Sequence, residues 1–382
     1  MTNLGEYRDH DRLQSRLSDI RRACSRRWTI MDVCGGQTHN LLRHGIEPAL
    51  ADCVELIHGP GCPVCVTPAA MIDRAIELAS HQEAIVTTFG DMLRVPGRQG
   101  TMLQARARGA DIRTMYSPTD AVQLAARNPD RQVVLFAVGF ETTAPATALA
   151  VLQAELQRLA NLSLLSHHVC VEPAMRALAA DPQRRLQGFL AAGHVCTITG
   201  YRELESLVHD FDVPVVVTGF EPVDLADGLL GCVKLLEQGR SIVENAYPRY
   251  VRRDGNPAAL KLLRQVFEVC DLPWRGFGTV ANGGLALRQE YASFAASRRF
   301  ATRLPDFTAD GVAERHCTAV LTGRIVPPAC PLFGTTCTPD APQGAPMVSS
   351  EGVCAAYHRY ADHRPDLLSR YRESADKVNS QS

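Results

Sequence analysis

Three sets of residues in this chain combine types and spacings that suit chemistry, and all three are built on sulfur. The first is His58-Gly-Pro-Gly-Cys62-Pro-Val-Cys65-Val-Thr-Pro, a C-x-x-C pair directly ahead of a predicted helix, with Pro60, Pro63 and Pro68 stiffening the turn. A thiolate near a helix N-terminus has its pKa lowered, and the second cysteine can resolve a mixed disulfide formed by the first, so the leading reading is a dithiol–disulfide couple. Half of a zinc site is the other reading, although no second C-x-x-C follows. The second set is Met31-Asp-Val-Cys34-Gly-Gly-Gln-Thr-His39. There Cys34 and His39 supply one soft thiolate and one imidazole beside a double glycine that lets backbone approach a ligand closely, a combination suited to ferrous iron. Taken alone, the pair also fits an inert buried cysteine and a hydrogen-bonded histidine.

The third set is Cys317, Cys330, Cys337 and Cys354, carried on a Pro-, Gly- and Thr-rich stretch whose irregular backbone would gain from a covalent or metal staple. Their spacings are not those of a zinc ribbon, which favours an iron–sulfur cluster over zinc. Six more of the 13 cysteines, Cys24, Cys53, Cys170, Cys196, Cys232 and Cys270, stand alone in predicted helices or strands, where cysteine acts as a small hydrophobe. His167-His168 reads as a polar pair at a strand end.

Composition narrows the setting. At 382 residues and 46% hydrophobic content the chain can bury a sizeable core in two or three domains. Its 40 Lys and Arg against 41 Asp and Glu leave a net charge of −1, so no global field favours a nucleic-acid backbone or an anionic membrane surface. The first residues, MTNLGEYRDHDRLQSRL, carry charges throughout, and no later stretch is long and apolar enough to span a bilayer. The expected location is the cytoplasm, where disulfides are rare and thiols serve metal binding or redox chemistry.

The elements that must position these cysteines come from the periodicity. Helical spacing runs from about Leu4 to Arg27 and ends in a basic turn. The middle alternates short β-branched runs with helical stretches, the pattern of parallel βαβ units. Strands are predicted at Ala84–Phe89, Gln132–Val138, His194–Thr199 and Val213–Thr218, and helices at Ala69–Ser80, Pro145–Leu159, Tyr201–Val208 and Leu225–Gln238. The expected class is α/β and doubly wound. Two segments, VVLFAVGFETTAP and VPVVVTGFEPVD, read almost as a repeat of strand, GFE turn and helix, so two similar halves are expected. Ligands sit beyond the carboxyl ends of parallel strands, which brings Asp91, Glu141 and Glu221 forward as cleft-facing acids or, more simply, as helix caps. After about Trp274 glycines crowd together, no further long β-run is expected, and a region rich in Pro and Cys follows.

Taken together, CGGQTH, GPGCPVCVTP, FGDMLRVPG, GFETTAP, TGFEPVD, CPLFGTTCTP and MVSSEGVCAAY resemble the HypD family of [NiFe]-hydrogenase maturation proteins, from about Met31 to Tyr360. That resemblance implies two similar Rossmann-like α/β domains and a smaller domain carrying a [4Fe-4S] cluster. The resulting division is 1–30 as an N-terminal helix packing on the C-terminal domain, 31–130 and 131–270 as the α/β domains, and 271–382 as the cluster domain. It implies a redox-active scaffold on which iron acquires its Fe(CN)2CO ligands, working with a HypC-type chaperone and a HypE-type cyanide donor. By the same likeness Cys34 binds the iron with His39 close by, Cys62 and Cys65 form the redox pair, Glu141, Thr142 and Thr143 line an interdomain cleft, and Cys330, Cys337 and Cys354 hold the cluster. One departure stands out. Family members carry C-x-C-G ahead of V-L-x-G, whereas this chain reads Arg315-His316-Cys317-Thr318, leaving Cys317, His316 or an open iron at the fourth position; Pro346 replaces a second family cysteine. The rival class is a thiol–disulfide oxidoreductase with a structural metal site.

Overall fold

The computed structural model of the protein describes residues 4–81, 84–300 and 312–361. In chain order its strands are β1 (Trp28–Asp32), β2 (Val54–His58), β3 (Ile85–Thr88), β4 (Pro96–Gly97), β5 (Gly100–Thr101), β6 (Ile112–Thr114), β7 (Val133–Gly139), β8 (Leu162–Val169), β9 (Gly188–Ala192), β10 (Val215–Thr218), β11 (Val243–Asn245), β12 (Phe267–Trp274) and β13 (Gly278–Leu287). Helices alternate with them, giving the α/β class expected. Among the described residues no helix is long and apolar enough to cross a membrane.

The chain divides into two compact units, one drawn from residues 1–62, 174–256 and 315–382, the other from 63–173 and 257–314. The consecutive segments expected at 1–30, 31–130, 131–270 and 271–382 are therefore interleaved in the fold. The first unit holds a five-stranded sheet in the order β11-β10-β9-β1-β2, every pairing parallel, so the strands of residues 28–58 share a sheet with those of residues 188–245. Its central strands are covered on both faces, as β9 and β10, buried along their whole length, illustrate. The second unit holds the order β12-β13-β8-β7-β3-β6, with β6, β3, β7 and β8 parallel and the β12–β13 ribbon antiparallel along the β8 edge.

The N-terminal helix, His10–Ala23, starts where the Asp9 carboxylate accepts the Arg12 N–H at 2.7 Å. Leu13, Leu17 and Ile20, spaced for one face, bury it in the core of the first unit together with Val223, Ala226, Leu229 and Leu230 of the helix Pro222–Glu237. Arg16 pairs with Asp227 at 2.6 Å along the same seam. Its packing partner is thus that helix, where the sequence had suggested the C-terminal region.

Two sequence expectations are corrected. His194–Thr199, read as a strand from its β-branched residues, is a helix (Gly193–Thr199); the strand is the preceding Gly188–Ala192, whose Gly-Phe-Leu-Ala-Ala composition carries little β signal. Thr197 and Thr199 turn their hydroxyls back onto the carbonyls of His194 and Val195, which lets β-branched residues sit in a helix. The region after Trp274, expected to lack a long β-run, holds the ten-residue β13, masked in the sequence by its glycines. The other predicted elements agree to within a few residues.

Candidate functional site

In the first sheet β1 leads to β2 on one side, while β9, β10 and β11 proceed on the other, so the carboxyl ends of β1 and β9 part at a topological switch point, where such sheets bind ligands. Cys34 lies just past β1, in extended backbone (φ −146°) at the N-cap of the helix Gly35–Arg43. His194 lies just past β9. Their side chains meet, Cys34 Sγ at 3.7 Å from His194 Nδ1. The Phe220 ring, 5.3 Å from the His194 ring, walls the same spot.

Burial pushes the Cys34 thiol far above its ordinary range; the N–H of Gln37 pulls weakly the other way, and the carboxylates of Glu351 and Asp32 add to the rise. Burial lowers the His194 pKa to about 4, so its imidazole is neutral and keeps a lone pair. A protonated thiol beside a neutral imidazole is a donor pair that a soft cation would complete by displacing the thiol proton.

The second sulfur motif packs directly onto the first. Gly59 N–H donates to Asp32 O at 2.7 Å, Gly35 N–H to Gly61 O at 2.9 Å, and a Cβ on Gly61 would lie 2.4 Å from Cys34 Cα. Only glycine permits that approach. Cys62 follows Gly61, and Cys62 and Cys65 are joined by a disulfide, exposed by only 3% and 0%.

Behind both motifs lies a buried polar hub that sequence reasoning missed. His58 Nδ1 donates to Asp32 at 3.0 Å, and its Nε2 lies 3.0 Å from the Tyr357 hydroxyl and 3.3 Å from Glu47 Oε2. Tyr357 in turn donates to Glu47, and the Thr38 hydroxyl bonds the Asp32 carboxylate at 3.0 Å. Burial alone would lower the His58 pKa, but Asp32 and then Glu47 overcome it and raise it to about 10. Asp32 stands two residues before Cys34, His58 four before Cys62 and Tyr357 three after Cys354, so the hub ties the three sulfur-bearing segments together. No local pattern announces a residue whose partners lie on three separate elements. The His39 Nε2 accepts from the Tyr360 hydroxyl at 2.6 Å, while its buried Nδ1 has no partner among the described residues.

Cys317, Cys330, Cys337 and Cys354 converge. Burial raises the Cys354 thiol well above its usual range, and Cys317, Cys337 and Cys330 each raise it further by proximity. The Gln343 N–H points at Cys337 Sγ (3.4 Å), and the N–H groups of Leu332 and Phe333 at the Cys330 sulfur. Convergent thiols with backbone N–H groups on their sulfurs are the donor chemistry of an iron–sulfur cluster. Among the described residues no three His, Cys, Asp or Glu side chains gather tightly enough to hold a single ion, so the thiols stand as neighbours and not as a closed shell. Arg315 is exposed, whereas Cys317 on the same helix, Val312–Leu321, reaches the group.

In the second unit, Asp91 is exposed in the short helix Gly90–Arg94 after β3. Glu141, after the adjacent β7, is buried and its Oε1 accepts the Val171 N–H at 2.9 Å. Thr142 is half-buried, and Thr143, at the N-cap of the helix Ala144–Leu156, donates to Phe140 O at 3.1 Å. Glu221, in the first unit, caps the helix Pro222–Glu237 and pairs with Arg8 at 2.6 Å.

Comparison with known proteins gives a consistent result. The family model for HypD, described as the hydrogenase formation hypA family, matches residues 11–361. The chain is 46% identical over 341 residues to the hydrogenase maturation factor HypD of Rhodobacter capsulatus, covering 88% of this chain and 90% of the relative. It is 44% identical over 351 residues to the HypD of Escherichia coli (strain K12), covering 92% and 94%, and 41% identical over 394 residues to that of Rhizobium leguminosarum bv. viciae, covering 100% and 99%.

Proposed function

The chain belongs to the HypD family, and from that membership we propose that this hydrogenase maturation factor is the scaffold on which an iron atom is held while its cyanide and carbonyl ligands are attached. The observation that carries the reading is the Cys34 thiol against the neutral His194 imidazole at the switch point of the first sheet. Iron is the cargo. Cys34 gives up its proton as the cation arrives, His194 offers the lone pair on Nδ1, and Phe220 keeps water from that side. Cys62 and Cys65 supply a two-electron couple: the disulfide opens on taking two electrons and two protons, and closes on returning them. The four C-terminal cysteines, Cys317, Cys330, Cys337 and Cys354, are assigned to a [4Fe-4S] cluster, whose chemistry is one-electron transfer. A HypC-type chaperone and a HypE-type cyanide donor are the assigned partners, and the cytoplasm the assigned location.

The test is an infrared spectrum of the anaerobically purified chain bound to its HypC-type partner, with iron and acid-labile sulfide measured on the same sample. Bands of metal-bound cyanide and carbonyl are expected, and Cys34→Ala should lose them and abolish hydrogenase maturation while its circular dichroism and melting temperature stay unchanged. Normal hydrogenase activity in that variant, or a complex with neither iron nor labile sulfide, overturns the assignment. Zinc without sulfide would favour the thiol–disulfide oxidoreductase.

A further inference from the structure

The stretch that closes the C-x-x-C turn is held by the last polar residue of that motif, Thr67, and by His167 and Arg275, which lie outside every sulfur motif. Within the second unit the Thr67 hydroxyl, wholly buried, lies 2.9 Å from Pro63 O and 3.3 Å from His167 Nδ1. His167 Nε2 donates to Pro273 O at 3.0 Å, and because burial lowers this histidine's pKa to about 4, Nδ1 carries a lone pair. One hydroxyl hydrogen therefore serves two acceptors. From the other side Arg275, itself 7% exposed, donates its backbone N–H to Val66 O (2.7 Å), its Nε to Thr67 O (2.7 Å) and a terminal nitrogen to Pro96 O (3.2 Å). The carbonyls of Pro63, Val66 and Thr67 are thus all tied, on a segment that contains one sulfur of the couple and adjoins the other.

A surface turn would let its two sulfurs drift apart once the bond between them opens. A turn whose carbonyls are fixed holds them close in the dithiol as well, which raises the effective concentration of each thiol for the other and favours closure. We propose that Thr67 and Arg275, with His167 behind Thr67, are positioning residues that set the reduction potential of the Cys62–Cys65 couple. The inference rests on the reading of that pair as redox-active. The exchange is disulfide plus two molecules of glutathione giving dithiol plus glutathione disulfide, so the two electrons and two protons come from the glutathione thiols.

The experiment equilibrates the full chain, anaerobically, in glutathione buffers of graded ratio and reads the state of residues 62 and 65 by alkylation and peptide mass spectrometry, with the melting temperature measured alongside. Thr67→Val should shift the equilibrium constant about tenfold toward the dithiol, equivalent to about 30 mV for a two-electron couple. Thr67→Ser, which keeps the hydroxyl, should stay within about twofold of the parent chain. Arg275→Lys keeps the charge but not the forked donor set, and should shift the equilibrium in the same direction as Thr67→Val, which keeps the inference testable if that variant fails to fold. A couple that cycles normally but is equally poised in the parent, Thr67→Val and Arg275→Lys chains overturns this inference alone. A couple that neither glutathione nor dithiothreitol opens in the folded parent chain removes the redox reading and this inference with it.

Discussion

At the scale of single residues, the Cys34 turn is defined as much by glycine as by sulfur. Gly61 and Gly36 both approach Cys34, but differently. A Cβ on Gly61 would overlap the Cys34 main chain at 2.4 Å, whereas one on Gly36 would meet only the Phe220 ring at 3.5 Å and Cys34 Sγ at 3.7 Å, ordinary contact distances. Gly61→Ala should therefore destabilise the chain by about 1–3 kcal/mol through overpacking. Gly36→Ala, inside the helix Gly35–Arg43, should be neutral or stabilise by up to about 1 kcal/mol by restricting the unfolded chain. Urea unfolding of the two variants checks the pair, and equal losses would contradict the packing described. The sequence marked Cys34, Cys62 and Cys65 through their local motifs. It could not mark His194, which follows an unremarkable Ala-Ala-Gly and reaches Cys34 only because β1 and β9 are neighbours.

At the scale of elements, the N-terminal helix shows what periodicity conveys and what it leaves open. Leu13, Leu17 and Ile20 announce a buried stripe, and the structure buries them; which surface receives it depends on where the helix Pro222–Glu237 lies. Leu17→Ala should lower stability by about 2–5 kcal/mol, the range for deleting a fully enclosed leucine side chain, in the midpoint of urea unfolding. A loss under about 1 kcal/mol would mean the helix is a loosely attached strap. The helix Val353–Ala361 is read in the same way: its Cys354 belongs to the C-terminal thiol group, while Tyr357 and Tyr360 fasten it to His58, Glu47 and His39. In the short β-branched run His194–Thr199, packing beside β9 and hydroxyl back-bonding outweigh the intrinsic preference for a strand.

At the scale of the whole molecule, buried histidines fix how stability depends on pH. The folded-state pKa of His58 is raised to about 10, against about 6.5 for an unfolded histidine, so its contribution is fully present below about pH 6.5 and is lost as pH rises toward 10. His167, His168 and His194, lowered to about 4 by burial, act in the opposite sense: their contribution is present above about pH 6.5 and is lost as pH falls toward 4. Stability should peak near neutrality. His58→Gln leaves Asp32 and Glu47 without their cation and should reduce stability by about 3–5 kcal/mol at pH 7. It should also flatten the decline between about pH 6.5 and 7.5, below the range where unfolded thiols, with a pKa of about 8.5, ionise; a slope like that of the parent chain would show that His58 is not protonated in the folded state.

By itself the amino-acid sequence determined the sulfur-bearing segments, the parallel α/β class and the stripe on the first helix, because thiol spacing, β-branched runs and apolar periodicity are properties of a few consecutive residues. The tertiary structure alone decided that residues 28–58 and 188–245 share one sheet, that Cys34 faces His194, and that Asp32, Glu47, His58 and Tyr357 close into one buried hub. Strand order is chosen by which buried faces fit together across the whole chain. A site that forms where two strands diverge is therefore written in no single segment.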